Sequence, residues 1–267
     1  ISTAMNEDYS PKLKVGFLGC SKDPVEVIYS AFRVCHSNDD AAETWRKIRN
    51  GDITRESMQA FVRDKLGAGH TGPLRQVQFI FVVDNVSYDC SSQFGRHHAD
   101  IERVETPCGN LDFDKGPGAF AVPPEIMENR EAWERYRTLR RDIVDFYKLC
   151  LDRGIKSEDA KFDLPMGTVS REQFSMGFQA MQQFLDVRMC ERAHWEIRDM
   201  AWQIYGIMKK EFPALAERLG IKCWENRNLY CDEGADSYAA CKWSKTRPHK
   251  KALSELWKKT EKNRAPN

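Results

Sequence analysis

Alternating and helically spaced apolar residues divide the chain into a short series of elements. Leu13-Lys14-Val15-Gly16-Phe17-Leu18 reads as a first strand. Asp23-Pro24-Val25-Glu26 then supplies an N-cap, a proline at the first helical position and a capping-box glutamate. Val27, Ile28, Ala31, Phe32 and Cys35 follow at helical spacing. Residues 54–66 predict a second helix, with Met58, Phe61, Val62 and Leu66 on one face. A glycine-rich turn leads into residues 77–83, where Phe79, Phe81 and Val83 alternate with Gln78 and Ile80, as in a strand with a buried face. After a polar, small-residue segment (87–93) comes the cluster Arg96-His97-His98-Ala99-Asp100, expected to sit at the end of that strand as a fixed group of cationic donors suited to a phosphate.

The second half is predominantly helical. Residues 109–124, rich in glycine and proline, predict a loop that closes over a site. Trp133, Tyr136, Ile143, Phe146, Tyr147 and Cys150 give residues 126–153 a helical stripe, and Gly154 is placed to end it. Arg135, Arg137, Arg140 and Arg141 on the other face read as solvated. A short polar helix begins at Ser157. Ser170 and Gln173 then read as a capping box for a helix burying Phe174, Phe178, Met181, Phe184 and Leu185. Residues 188–212 carry Ala193, Ile197, Ala201, Ile204 and Met208 on one stripe. These stripes read as core.

The 267 residues, 41% hydrophobic and 30% charged, fit an ordinary globular protein with ample core. A net charge of +1 gives no global electrostatic reason to bind nucleic acid. No apolar run is long enough to span a bilayer and nothing resembles a secretory signal, so a cytoplasmic location without membrane contact is expected. The nine cysteines are accordingly read as reduced thiols; a zinc site among Cys223, Cys231 and Cys241, which form no C-x-x-C pair, is the weaker reading. Residues 242–267 carry nine Lys or Arg against two Glu, a net +7. With Leu253, Leu256 and Trp257 close together, they read as a surface helix packed on the body or on a neighbouring subunit.

Gly67-Ala68-Gly69-His70-Thr71-Gly72 matches the G-x-G-x-x-G pattern of dinucleotide-binding turns. That pattern holds a pyrophosphate only when a strand precedes it and a helix follows. Here a helix precedes and a strand follows, so the reading is rejected. A metal cluster at His97-His98-x-Asp100 is rejected too, because neighbours on a strand face opposite ways. The Pro107-Cys108 pair, with no accompanying signature, is read as a coincidence rather than as a nucleophile.

The order His70-Thr71-Gly72-Pro73, Phe79-Ile80-Phe81, Asn85-Val86-Ser87-Tyr88, then Gln93 three residues before Arg96-His97-His98, resembles the flavin-dependent thymidylate synthase (ThyX) family. Leu164-Pro165, Phe184-Leu185-x-x-Arg188 and Ala193-His194-Trp195-Glu196-Ile197 resemble that family's C-terminal motifs. The resemblance implies an α+β fold in which a central sheet is flanked by helices, and a homotetramer with shared active sites. It implies a single catalytic domain over residues 13–241 followed by the basic tail. It further implies FAD, with NADPH and methylenetetrahydrofolate as co-substrates, and a pyrimidine mononucleotide, dUMP or UMP, as substrate. Arg188 would then polarise the uracil base. His70, Thr71, Arg96, His97, His98, Gln179 and Gln183 would contact FAD, and Gln93, Arg96, Glu105, Thr106, Lys161 and Arg188 the nucleotide.

The chain departs from the family pattern at several of these places. The third residue of Arg-His-Arg is His98, and the motif's Ser, Asn, Ser and Arg fall on Ile101, Arg103, Thr106 and Cys108. The family's glutamate falls on Val104, its Asn-x-Arg on Gly177-x-Gln179, and its arginine before Leu-Pro on Lys161. The pocket has either been refitted for a variant nucleotide such as UMP, or the chain is a non-catalytic relative that binds flavin or nucleotide as a scaffold or regulator. Retention of Gln93, Arg96, His97 and Arg188 favours the first.

Overall fold

The computed structural model describes residues 11–97, 99–105, 119–224 and 227–262. His98, Thr106, Cys108 and most of the expected closing loop lie outside them. Two compact units interleave along the chain. One comprises residues 1–19, 79–176 and 195–200, and the other residues 20–78, 177–194 and 201–267.

The first unit is built on a four-stranded sheet of order β1-β2-β4-β3, formed by β1 (Lys14–Cys20), β2 (Gln78–Ser87), β3 (Ile101–Glu105) and β4 (Val169–Gly177). β3 and β4 run antiparallel, with Ile101 opposite Met176. Phe79, Phe81 and Val83 are fully buried, as their alternation requires. Rings continue the packing from strand to strand: Phe17 to Phe81 at 5.6 Å, Phe81 to Phe174 at 5.5 Å and Phe174 to Phe94 at 4.6 Å between centroids. A Cβ at Gly16 would lie 2.9 Å from Val82 Cγ1, so β1 can approach β2 this closely only without a side chain there.

β4 corrects the sequence reading. Residues 170–173 are strand, not a helix start, and the helix begins only at Phe178 as α8 (Phe178–Arg188). Val169, Glu172, Phe174 and Met176 are buried. The strand thus buries a carboxylate within an otherwise apolar series, which hid its period of two. The Ser-x-x-Gln spacing, common by chance, took its place.

A second correction concerns Arg96 and His97. β2 ends at Ser87, where a helical turn, α4 (Tyr88–Phe94), intervenes, so both residues occupy the turn after α4 rather than a strand end. The strand geometry used against a metal cluster there therefore does not apply. Ser87 Oγ accepts the Cys90 N–H at 3.0 Å and caps the helix.

The helix expected at 126–153 is two, α5 (Pro124–Glu128) and α6 (Arg130–Asp152), with Asn129 capping the second through the Ala132 N–H at 3.0 Å. On α6, Arg140 is not solvated but buried. Its Nη2 donates to Ala121 O and Tyr136 Oη, both at 2.8 Å, and the guanidinium lies 4.6 Å from the Phe120 ring centroid. Burial pulls its pKa down to about 10, which still leaves it charged at neutral pH.

The second unit contains α1 (Pro24–His36), α2 (Ala41–Asn50), α3 (Arg55–Gly67), α8 and the C-terminal helices α11 (Ala235–Ala240) and α12 (Lys250–Lys262). Asp23 caps α1 as expected, accepting from Glu26 N at 3.2 Å. The buried stripe, however, is Val25, Ile28, Tyr29 and Phe32, and Cys35 is exposed. α2 was not anticipated, because only Thr44 and Ile48 are buried along it. In this single chain Leu256 and Trp257 on α12 are each 62% exposed, so the apolar side of the tail is not covered by its own body.

One buried bond fixes where α4 begins. Glu196 lies in the first turn of α9 (Trp195–Glu211) and is 2% exposed. It accepts the Ser87 N–H through Oε1 at 2.7 Å and the Ser87 hydroxyl through Oε2. Burial raises its pKa; the Ser87 bonds oppose that shift, and the charges of Asp89 and Asp199 add to it. A raised carboxyl pKa means that the folded state holds the proton longer. Its contribution to stability is therefore full below the ordinary Glu range and lost as pH rises through the raised value. Urea unfolding across that range should show wild-type stability declining relative to Glu196→Gln; parallel curves would remove Glu196 as the cause. Glu196→Ala, which orphans the Ser87 N–H, should cost about 1–3 kcal/mol.

Candidate active site

In the first unit the expected ligand-binding residues gather on α4 and the turn behind it. Gln93, half-buried on the last turn, donates from Nε2 to Asp89 Oδ2 at 2.8 Å. The His97 N–H bonds to Phe94 O at 2.9 Å and the Arg96 N–H to Gln93 O at 3.4 Å. This leaves the Arg96 side chain exposed and that of His97 half-buried.

Behind the turn stands Arg103, whose role the sequence did not reveal. Its Nη2 lies 2.8 Å from Ser91 Oγ, 2.6 Å from Glu105 Oε2 and 2.9 Å from Glu172 Oε1. Glu172 is 1% exposed, so the guanidinium compensates a carboxylate that could not be buried alone. The same guanidinium sits 5.2 Å from the Phe94 centroid. A Cβ on Gly95 would fall 2.4 Å from Arg103 Nη1, so a side chain there would force the Arg103 guanidinium to shift. Glu105, expected at the nucleotide, is tied to α4 through Ser91 and Arg103. Lys161, half-buried, opens a short 3-10 turn (Lys161–Asp163).

In the second unit His70 and Thr71 are exposed in the turn after α3, with the His70 N–H on Lys65 O at 3.2 Å. Gln179, Gln183 and Arg188 share α8; Gln183 is exposed, and Arg188 is half-buried as the last residue of that helix. Arg75, in the 3-10 helix Gly72–Gln76, donates from Nε to Gln179 Oε1 at 2.6 Å, which ties the His70–Thr71 turn to α8. Sequence reasoning passed over Arg75, Arg103 and Glu196. Arg103 had a signal as a departure from the family motif and Glu196 as the glutamate of Trp195-Glu196-Ile197, while Arg75 had none.

The eight cysteines among the described residues are all free, and among those residues no three His, Cys, Asp or Glu side chains are grouped so as to hold a metal ion. No helix among them is long and apolar enough to cross a membrane.

Known proteins bear on this arrangement directly. The flavin-dependent thymidylate synthase of Nitratidesulfovibrio vulgaris is 30% identical over 231 residues, covering 83% of this chain and 91% of that one. The flavin-dependent thymidylate synthase of Thermococcus onnurineus is 27% identical over 251 residues, covering 92% and 96%. Among solved structures, the UMP/dUMP methylase PolB from Streptomyces cacaoi, bound with 5-Br dUMP, shares the fold. Its TM-score is 0.63 over 78% of this chain and 95% of that one, at 19% identity. The family model for Thymidylate synthase complementing protein matches residues 18–214. That span holds α4 with its turn, the His70–Thr71 turn and the whole of α8, and with it the chain belongs to the Thymidylate synthase complementing protein family.

Proposed function

We propose that this chain is an FAD-dependent enzyme that methylates uracil C5 in a pyrimidine mononucleotide, dUMP or UMP, with methylenetetrahydrofolate as one-carbon donor and NADPH as reductant. The observation that carries the proposal is the placement of Gln179, Gln183 and Arg188 on one helix inside the family-matched segment. The names of the relatives support it, since the curated ones are flavin-dependent thymidylate synthases and the structural neighbour is a UMP/dUMP methylase.

C5 of uracil becomes nucleophilic when the N3 proton leaves and negative charge spreads over the ring. The protein must stabilise that anion. A guanidinium remains charged near neutral pH and offers a planar fork of donors, so Arg188 is assigned this role. Gln93 and Arg96 would orient the nucleotide, Arg96 by a charge-assisted bond to phosphate. The exposed His70, Thr71 and Gln183, with Gln179, offer imidazole, hydroxyl and amide groups suited to the polar edge of an isoalloxazine and to ribityl hydroxyls. When bound, FAD would supply the reducing equivalents for turning the one-carbon unit into a methyl group.

The assembly implied by the family also has support in the single chain. Leu139, Phe146 and Leu149 along α6 are 48%, 47% and 50% exposed, and Phe162 is 91% exposed. Apolar groups on this scale suit burial against other copies. We read residues 13–241 as the catalytic part and the basic tail as an appended helix. The competing reading, a non-catalytic flavin or nucleotide binder, draws on Gln179 and His98 standing where the family pattern has arginine.

Purified protein should be yellow, bleach with NADPH and recover in air, and Arg188→Ala should retain the flavin while methyl transfer falls by about 10²–10³-fold. Wild-type turnover in that variant would remove Arg188 from the mechanism, and flavin binding by the wild type without methyl transfer would favour the competing reading. In direct competition dUMP and UMP should both be methylated, with specificity constants within about tenfold of each other, because the two differ only at the sugar 2′-hydroxyl and the substitutions fall beside phosphate and sugar, where that group is admitted. Sedimentation should give a tetramer that Phe146→Lys weakens; a wild-type monomer would refute the shared-site assembly.

A further inference from the structure

A cavity of about 240 Å³ in the second unit shares Thr71 with the reading above and is otherwise lined by residues which that reading does not use. Its walls include Gly67, Thr71, Leu74, Gln182 and Arg218. Three arginines stand at or near it, and two are neutralised. Arg227 makes a two-pronged ion pair with Asp186 at 2.7 and 2.5 Å, and Arg63 pairs with Glu217 at 2.8 Å. Arg218 has no carboxylate at ion-pair distance among the described residues. Its Nη2 reaches only the Arg63 carbonyl, at 3.5 Å.

The position of Arg218 is nonetheless held. Its backbone carbonyl accepts from Gln182 Nε2 at 2.8 Å, and Gln182 is 8% exposed. A Cβ on Gly67 would fall 2.9 Å from Arg218 Nη2, so a side chain at position 67 would push the tip of the guanidinium from its present place. The cavity borders the C-terminal end of α3, whose carbonyls would repel an anion if they faced it. They do not act that way here. Asp64 O, Lys65 O and Leu66 O accept the N–H groups of Ala68, His70 and Gly69 in turn. Leu66 and Leu74 are buried in its wall, which lowers the local dielectric and strengthens a charge-assisted bond. The Thr71 hydroxyl and the Asn228 amide supply further donors.

We propose that this cavity is an anion subsite in which Arg218, with Thr71 and Asn228, binds a phosphate group of a nucleotide. Its volume is below the range of about 300–1,000 Å³ typical for drug-sized ligands, so it takes the charged end of a larger molecule rather than the whole. Arg218 and Asn228 lie beyond the family-matched segment. The anion site stands on geometry alone; its source rests on the function proposed above and is either the diphosphate of FAD or the 2′-phosphate of NADPH.

Inorganic pyrophosphate should raise the melting temperature of the wild type, and Arg218→Gln should bind it at least about tenfold more weakly. Gly67→Ala, which displaces the guanidinium without removing it, should weaken it as well, with circular dichroism confirming that both variants fold. No stabilisation of the wild type, or full retention in folded Arg218→Gln, overturns the subsite. Flavin fluorescence and steady-state kinetics then separate the sources. Weakened FAD binding in Arg218→Gln identifies the diphosphate, and a collapsed preference for NADPH over NADH identifies the 2′-phosphate. A variant that loses pyrophosphate yet keeps both properties overturns the assignment to a nucleotide. A wild type that never takes up FAD refutes the proposed function while leaving the pyrophosphate result standing.

Discussion

Glu196, 2% exposed, accepts both polar hydrogens of Ser87, a residue 109 positions away in the chain. Ser87 is at once the last residue of β2 and the cap of α4, so this contact sets where the strand stops and in which direction the helix leaves. Gln93 and Arg96 lie six and nine residues further on, and a shift at Ser87 would carry both with it. Burying a carboxylate costs free energy unless its oxygens are satisfied. The residues that satisfy it are the ones whose placement the candidate site requires.

The strands and helices that one-sided burial produces were legible in sequence. β1, β2, α1 and α3 all appear where the apolar pattern puts them. Elements whose stability is tertiary were not. α2 buries two side chains, and α4 is a seven-residue turn held by a serine cap and a distant glutamate. β4 carries a buried charge at Glu172 whose partner, Arg103, is 69 residues away. Arg140 shows the same limit from the other side. A helical wheel places it among exposed arginines, and only the arrival of Phe120 and Ala121 from another segment makes it interior. Composition cannot tell a solvated arginine from one stacked on a ring.

The residues proposed for the ligands rest on a different signal. The family resemblance selects them by type and spacing, which are independent of burial, and those among the described residues lie within the family-matched segment. It could not identify the residues that hold them in place. Arg103 stands where the family pattern has asparagine, so the resemblance marked it as a departure. The structure makes it the hub joining β3, α4 and β4, through Ser91, Glu105 and Glu172.

That hub bears on whether the departures are losses or adjustments. A position that has lost its function leaves former partners unpaired, and a buried unpaired charge is expensive. Here the buried Glu172 carboxylate is met by the Arg103 guanidinium. Val104, at the glutamate position, is 73% exposed and buries no charge, while the adjacent Glu105 carboxylate is bonded to Arg103 and Ser91. Gln179 stands where the family pattern has arginine, yet the Arg75 guanidinium lies against its amide oxygen, so positive charge returns to that face of α8 from a different element. Arg75 thus keeps a guanidinium beside α8, whereas the arginine positions of the family pattern at His98 and Cys108 hold no arginine, so the chain retains part of the pattern's positive charge rather than all of it.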